Sequence, residues 1–413
     1  MALAGAPRSS AAPVPRQPAT MPSLRVLHVN KLYAPWIGGV EAAVQALAEE
    51  AAAQPGVEVE VLACQPRGPA ASETVNGVRV VRTASLGMWL STPLSPTFPR
   101  ALASARGGFD VVHVHLPFPL AMLAGWRWAP TGPRLVLHYH ADVSKPVQRA
   151  ILRLLEPWNR RLFEAADKVV VTSERLLGAS AVLAPYREKC LVIPLPAAEP
   201  GLRPATETER AEARTRLGLR QDRQVVLFVG RLVGYKGLPL LVEAMAGVDA
   251  DLLVVGEGPL RSALLKQARR HGLADRLRLA GRLDAHELDL AYQVADLFVL
   301  PSVTVAEAFG LVQVEAMQRG CPVVNTDLPT GVPSVGVHGE TGLTVPPGDP
   351  AALREAIRRI LGDDALRAAM GRAALQRATL FDRPSVGRRL VDLYRSLLAG
   401  ASSPPAPETP PPG

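Results

Sequence analysis

Two acids, Glu307 and Glu315, stand in the stretch Pro301–Pro322, PSVTVAEAFGLVQVEAMQRGCP, with seven residues between them. A helix rises about 1.5 Å per residue, so eight helical steps would set the carboxylates ~12 Å apart. Carboxylates that act on one bond from its two sides sit within roughly 5–9.5 Å of each other. The pair is too wide for that. It suits the two ends of one elongated polar ligand, each acid accepting hydrogen bonds from paired hydroxyls. The competing reading is two solvated helix charges.

Cations lie upstream. The apolar run Val225–Val229 ends in Gly230-Arg231-Leu232-Val233-Gly234-Tyr235-Lys236-Gly237. A guanidinium and an ammonium converging across a glycine-containing turn suit a diphosphate. The next apolar run ends in Gly256-Glu257-Gly258-Pro259, with Arg261 where a dinucleotide fingerprint needs its third glycine. It reads as a tight turn that lets a ligand or a neighbouring backbone come close. Near the N-terminus, Gly38-Gly39 precedes a helical run, a geometry that offers free backbone N–H groups to an anion. Histidines concentrate in VVHVH (His113, His115) and VLHYH (His138, His140). Alternation puts each pair on one sheet face. No cysteine or acid completes a ligand set beside them, so no metal is expected. His113 and His138 read as packed in the sheet, while His115 ends its strand, where a cleft can be faced.

The elements that must position these groups alternate. Strands are expected at Leu24–Asn30, Val57–Ala63, Val78–Arg82, Asp110–His115, Arg134–His140, Lys168–Ser173 and Cys190–Pro196. Helices Val40–Ala53 and Val147–Phe163 lie among them. A second set follows: strands Val225–Val229, Asp251–Val255, Arg276–Ala280, Asp296–Leu300 and Pro322–Asp327. Its helices are Leu238–Ala246, Leu260–His271, Glu287–Val294, Ala351–Leu361 and Asp364–Ala378, with a last helix at Ser385–Leu398. Such alternation argues for parallel sheets covered on both faces, hence two α/β domains with a cleft between them. Residues 197–208 are rich in Pro, Glu and Thr and read as a linker region. The tails 1–22 and 401–413 lack periodicity and are expected to be disordered.

The 413 residues suit two domains, and 48% hydrophobic content is ample for their cores. The formal charge is +8 and the pI about 9.7, which favours anionic small molecules or anionic lipid surfaces. Nucleic acid is not expected, because no basic run carries interleaved aromatics. Cys64, Cys190 and Cys321 are far apart with no CxxC, so reduced thiols and a cytoplasmic setting are expected. No apolar run reaches the ~18–20 residues of a membrane span. Within Val147–Phe163, four arginines mix with Ile151, Leu152, Leu155 and Trp158, and Trp126-Arg127-Trp128 stands upstream. Basic, Trp-bearing amphipathic stretches lie in bilayer interfaces, so a peripheral contact with the inner face of the cell membrane is weighed against an ordinary surface helix.

Taken together, five motifs resemble the retaining nucleotide-sugar glycosyltransferases of family 4. They are Glu307-(seven residues)-Glu315 enclosing Phe309-Gly310-Leu311, Gly230-Arg231-Leu232…Lys236-Gly237, Gly256-x-Gly258-Pro259, Thr341-Gly342-Leu343…Pro347-Gly348-Asp349, and Tyr33-x-Pro35…Gly38-Gly39. The likeness spans roughly residues 24–396. It implies a GT-B fold, two Rossmann-like α/β domains facing a central cleft. The first would run from 23 to 197 and be completed by a C-terminal helix at about 380–399. The second, 198–379, would bind the nucleotide sugar.

The resemblance also implies roles. Arg231 and Lys236 would bind the donor diphosphate and stabilise it as it leaves. Glu315 would hold the ribose. Glu307 would hold the transferred sugar together with backbone N–H groups of Phe309, Gly310 and Leu311. Gly38 and Gly39 would approach the distal phosphate, with Gly230, Gly256 and Gly258 shaping the donor site. His140 would touch the donor sugar or the acceptor. No metal and no cofactor beyond the nucleoside-diphosphate sugar is implied, and the acceptor would be a glycan or a lipid-linked saccharide. The family commonly carries Pro-x-Gly-Ile/Val-Asp where this chain has Pro194-Leu195-Pro196-Ala197-Ala198. Val303–Ala306 is also more apolar than the family pattern. Two alternatives stand beside this reading: a sugar-nucleotide epimerase, and a non-catalytic sugar-nucleotide-binding subunit of a polysaccharide assembly complex.

Overall fold

The computed structural model describes residues 23–36, 38–124, 132–143, 145–197 and 203–400. The expected tails, the Trp126–Trp128 cluster and Ala198 lie outside these residues.

The first domain is built on an eight-stranded sheet. Its strands are β1 (Leu24–Val29), β2 (Val57–Cys64), β3 (Ala71–Val75), β4 (Val78–Thr83), β7 (Val111–Leu116), β8 (Arg134–Tyr139), β9 (Lys168–Val171) and β10 (Cys190–Val192); β5 (Met88–Trp89) and β6 (Thr92–Pro93) form a separate hairpin. The order is β10-β9-β8-β7-β1-β2-β4-β3, parallel throughout except for the edge strand β3, which pairs antiparallel with β4. The second domain has six parallel strands in the order β13-β12-β11-β14-β15-β16. They are β11 (Val225–Val229), β12 (Asp251–Val255), β13 (Leu277–Gly281), β14 (Leu297–Leu300), β15 (Val323–Thr326) and β16 (Gly342–Val345). Central strands such as β11 and β14 are buried at every residue, as parallel strands covered on both faces must be.

The chain returns to the first domain at its end. Helix Arg383–Leu398 places Val386, Leu390, Val391, Leu393 and Tyr394 in one core with Val44 and Leu47 of helix Gly39–Ala52. Arg383 pairs with Glu49 and Glu50, each at 2.9 Å. A Cβ on Gly387 would lie 2.6 Å from the Glu50 Cβ, so glycine sets how closely the two helices cross. Between the domains, Leu195 and Ala197 are buried in the core of the second domain, and the Ala197 amide donates to the Phe381 carbonyl at 2.8 Å.

Pro157 interrupts Val147–Phe163 as its ring requires, and several other elements differ from expectation. Val147–Phe163 is two helices, Pro146–Leu154 and Glu156–Ala165, broken at Leu155. Pro157 sits in the first turn of the second, where its missing N–H has no helical partner to lose. The end of the expected linker is ordered, because Thr206 and Glu209 form a reciprocal cap that starts helix Glu207–Leu217. Strand β3 carries no apolar alternation and is exposed over most of its length, as an edge strand can be. Strand β16 was hidden by Gly342, whose absent Cβ would fall 1.7 Å from the Val323 carbonyl oxygen.

Candidate active site

Ligands in open α/β sheets bind beyond the carboxyl ends of the strands, where strand order reverses. In the second sheet that point lies between β11 and β14, and in the first between β1 and β7. The loops leaving these four strands carry most of the residues singled out by sequence. A cavity of about 490 Å³ lies between the two switch points, lined from the first domain by Asn30, Lys31, His115, His140 and Asp142. From the second domain come Arg231, Tyr235, Val305 and Ala306.

Glycines hold the second-domain half together. Gly237 takes φ 71° and would, with a Cβ, stand 1.9 Å from the Pro301 carbonyl oxygen, so the loop after β11 lies directly on the loop after β14. Gly256 and Gly258 would bring a Cβ within 2.1 Å of the Gly230 carbonyl oxygen and 2.5 Å of that of Leu232. The turn after β12 therefore admits a neighbouring backbone. It braces the Arg231 loop through Leu232 N–H to Glu257 O at 2.8 Å.

On this scaffold Lys236 turns inward and pairs with Glu307 at 2.5 Å, both groups about nine-tenths buried. The same Glu307 oxygen accepts from the Ser302 hydroxyl at 3.0 Å. Arg231 stays exposed at the cavity wall, its guanidinium 3.4 Å from the Tyr235 hydroxyl. The two cations are thus not equivalent: one is tied to an acid and one is open to solvent. Glu315, on helix Leu311–Met317, accepts from the Tyr292 hydroxyl at 2.5 Å. Burial and then this carboxylate push the Tyr292 phenol well above its ordinary range, so it stays a donor. Gly310 precedes that helix at φ 75°. Phe309 is buried and packs edge-on against Phe381, 5.8 Å between centroids.

In the first-domain half, Gly38 caps helix Gly39–Ala52 and Gly39 opens it. A Cβ on Gly38 would collide with the Glu41 carboxylate, whereas the space beside Gly39 is empty to 4 Å. Glu41 is buried and pairs with Lys31 at 3.5 Å. His140 follows β8 and is buried at the cavity wall, its imidazole pushed down to about 3 by burial and then by Lys31. His113, His115 and His138 are also fully buried. Sequence reasoning missed Lys31, Ser302 and Tyr292, whose partners lie 5 to 23 positions away in no recognisable spacing. It also missed His28, although LRVLHV carries the same alternation as the other histidine strands.

An acid–cation pair and a second carboxylate, set at one switch point and facing a polar wall of imidazoles with Lys31 and Asp142, can grip an elongated anion bearing hydroxyls. Residues 38–196 match the family described as glycosyl transferase 4-like domain, and residues 209–377 match glycosyl transferases group 1. The chain belongs to the GT4-type glycosyltransferases of GT-B fold. It is 34% identical over 356 residues to the D-rhamnosyltransferase WbpZ of Pseudomonas aeruginosa, covering 85% of this chain and 90% of that protein. The O-antigen chain mannosyltransferase C of Escherichia coli is 27% identical over 384 residues, 92% of this chain and 100% of the other. Among solved structures, sucrose-phosphate synthase of Thermosynechococcus elongatus superposes with a TM-score of 0.74 at 26% identity, over 92% of this chain and all of that one. The protein is an enzyme of glycosyl transfer.

Proposed function

We propose that this enzyme moves a hexose-type sugar from a nucleoside-diphosphate sugar to a glycan or lipid-linked saccharide, with retention and without a metal. The observation that carries the reading is the buried Lys236–Glu307 pair at the second switch point, with Arg231 beside it and His140 across the cavity. In this reading Arg231 and Lys236 meet the diphosphate. As the bond from the anomeric carbon to the phosphate oxygen breaks, charge grows on that oxygen, and the fixed cations stabilise it. Glu307, held by Lys236 and Ser302, aligns the sugar hydroxyls, and Glu315, held by Tyr292, takes those of the ribose. The departing phosphate oxygen accepts the proton of the acceptor hydroxyl on the same face, so no protein nucleophile is required. Lys31, paired with Glu41 two residues beyond Gly39, adds a cation from the first domain for the distal phosphate.

Val305 and Ala306 give the cleft an apolar wall that suits a sugar with a methyl at C6, as in the D-rhamnosyl group named for one relative. A second cavity, of about 650 Å³, shares Pro117, Asp142, Val143 and Val305 with the first and is lined by Arg149, Leu152 and Arg153. It is the acceptor's path in this reading. Helix Pro146–Leu154 has no buried residue and leaves Val147 and Leu154 exposed beside those arginines. That face suits an anionic lipid surface. Among the described residues, no helix is long and apolar enough to cross a membrane.

Thermal shift against UDP, GDP, ADP and dTDP tests the donor site. Ligand at ~100 times its dissociation constant adds about 2.7 kcal/mol of stability. A shift with one diphosphate, larger with its sugar, is expected; no shift with any overturns the proposal.

A further inference from the structure

The five histidines of the first sheet form one array. In parallel strands, residues in register share a face, and His28 pairs with His113 while His115 pairs with His138. Alternation then brings His140 to the same face. Three of the rings and one phenol join end to end. His140 Nε2 meets His115 Nδ1 at 3.0 Å, His115 Nε2 meets His28 Nδ1 at 3.0 Å, and His28 Nε2 lies 3.3 Å from the Tyr394 hydroxyl. Tyr394 in turn lies 2.5 Å from His113 Nδ1. The linked rings are 5.2 and 5.3 Å apart at their centroids, room for a hydrogen bond between rings set edge to edge. His113 and His138 stack on this line.

Nitrogens of His115, His138 and His140, and of His28, His113 and His115, gather within 4.8 Å, which raises the question of an ion. Ring geometry answers it. His138 stacks on His140 at 4.3 Å with planes 5° apart, so their in-plane lone pairs run parallel and do not converge. The linked nitrogens face each other in line across 3.0 Å, as the 5.2 and 5.3 Å centroid separations require, whereas a metal in that line would need about 2 Å to each. A proton fits there and an ion does not.

We infer that Tyr394, His28 and His115 are positioning residues that fix His140, a residue of the cavity wall, as the tautomer protonated on Nε2, so that its buried and unpartnered Nδ1 keeps its lone pair. Burial pushes all these imidazoles far below their ordinary range, His28 to about 3, so each is neutral and holds one proton. The five groups carry five protons for four links. The fifth proton must sit at a free end, His140 Nδ1 or His113 Nε2, neither of which has a partner. The chain therefore has two ordered states, and the contacts of Tyr394 choose between them. O–H···N bonds are shorter than N–H···O bonds, so the phenol donates across 2.5 Å to His113 and accepts across 3.3 Å from His28. Every link then points away from the cleft, and His140 Nδ1 is bare. A bare acceptor in the cavity wall suits a sugar hydroxyl once the atoms covering Nδ1 move aside; this last assignment alone rests on the transfer reading above.

The test is nitrogen-15 NMR of the full chain labelled in histidine, with rings assigned by single His→Gln variants and no donor present. The result therefore decides the chain whether or not the donor reading holds. His140, His115 and His28 should all carry the proton on Nε2. Tyr394→Phe should release that order and move His140 toward the Nδ1-protonated form, with kcat/KM for transfer falling about tenfold, the scale of losing one net hydrogen bond. Where Tyr394→Phe does not fold, His28→Asn cuts the chain one link nearer. A wild-type His140 protonated on Nδ1, or an unchanged His140 pattern in a folded variant, overturns the inference.

Discussion

The switch point between β1 and β7 and that between β11 and β14 occupy the same place in their sheets, yet they gather different mixtures of side chains. The first holds neutral imidazoles linked to a phenol, with the Lys31–Glu41 pair beside them, and the second holds a tighter ion pair, a second carboxylate and an exposed arginine. Parallel topology chose both locations, because free strand ends point there in any doubly wound sheet. Side-chain chemistry distinguishes the two. In the proposed reaction, charges would grip an anion whose own charge grows, while neutral donors and acceptors would align hydroxyls without competing for it. The difference can be broken or sharpened by experiment.

The largest effect is expected at Glu307. Glu307→Ala should abolish transfer while nucleoside-diphosphate affinity, measured by calorimetry, stays near wild type. Transfer at the wild-type rate would remove the acid from its role. Lys236→Met comes next, with kcat down roughly 10²–10³-fold, the range for losing one preorganised charge donor. It should also destabilise by about 3–5 kcal/mol, because Glu307 is left buried without its cation. The double variant Lys236→Met/Glu307→Leu should regain stability without activity. Recovery of both would make the pair purely structural.

Acid should divide the two domains. The buried imidazoles bind protons unfolded below about 6.5 but not folded until far lower, so the unfolded state takes up more protons in that window. Stability is thus full above pH 6.5 and lost as pH falls toward 3, by about 1.4 kcal/mol per pH unit for each such ring. All five tryptophans precede residue 197, so fluorescence reads the first domain while circular dichroism reads both. At pH 5 the urea midpoint by fluorescence should fall well below its pH 7 value, with a later dichroic transition remaining. Equal weakening of both would mean the histidine array is not the acid-labile part. The smallest effects separate two glycines. Gly258→Ala should cost about 1–3 kcal/mol from its clash with Leu232, read as a lower Tm. Gly39→Ala, with open space beside it, should leave Tm almost unchanged and raise only the donor KM.

Much of this was legible in the chain. The apolar runs of β11, β12 and β14 announced buried parallel strands, and the loops after them carried Arg231, Lys236 and Glu307 in the right order. Less legible were elements defined by their neighbours. The edge strand β3 has no apolar face, and β16 begins at a glycine that reads as a breaker until the Val323 backbone beside it is seen. Gly256 and Gly258 announced a close approach, but whether to ligand or backbone depended on where Gly230 and Leu232 lay.

By itself the sequence determined which side chains exist near each strand end, because periodicity and glycine placement act over a few residues and need no tertiary partner. It determined the two-domain alternation and the spacing of Glu307 from Glu315. Only the tertiary structure decided which charges are spent on each other. Lys236 and Glu307 lie 71 positions apart, and Tyr394 reaches His113 from 281 positions away. Such pairings follow from strand order and from helix Arg383–Leu398 packing back on the first domain, and no local pattern encodes them.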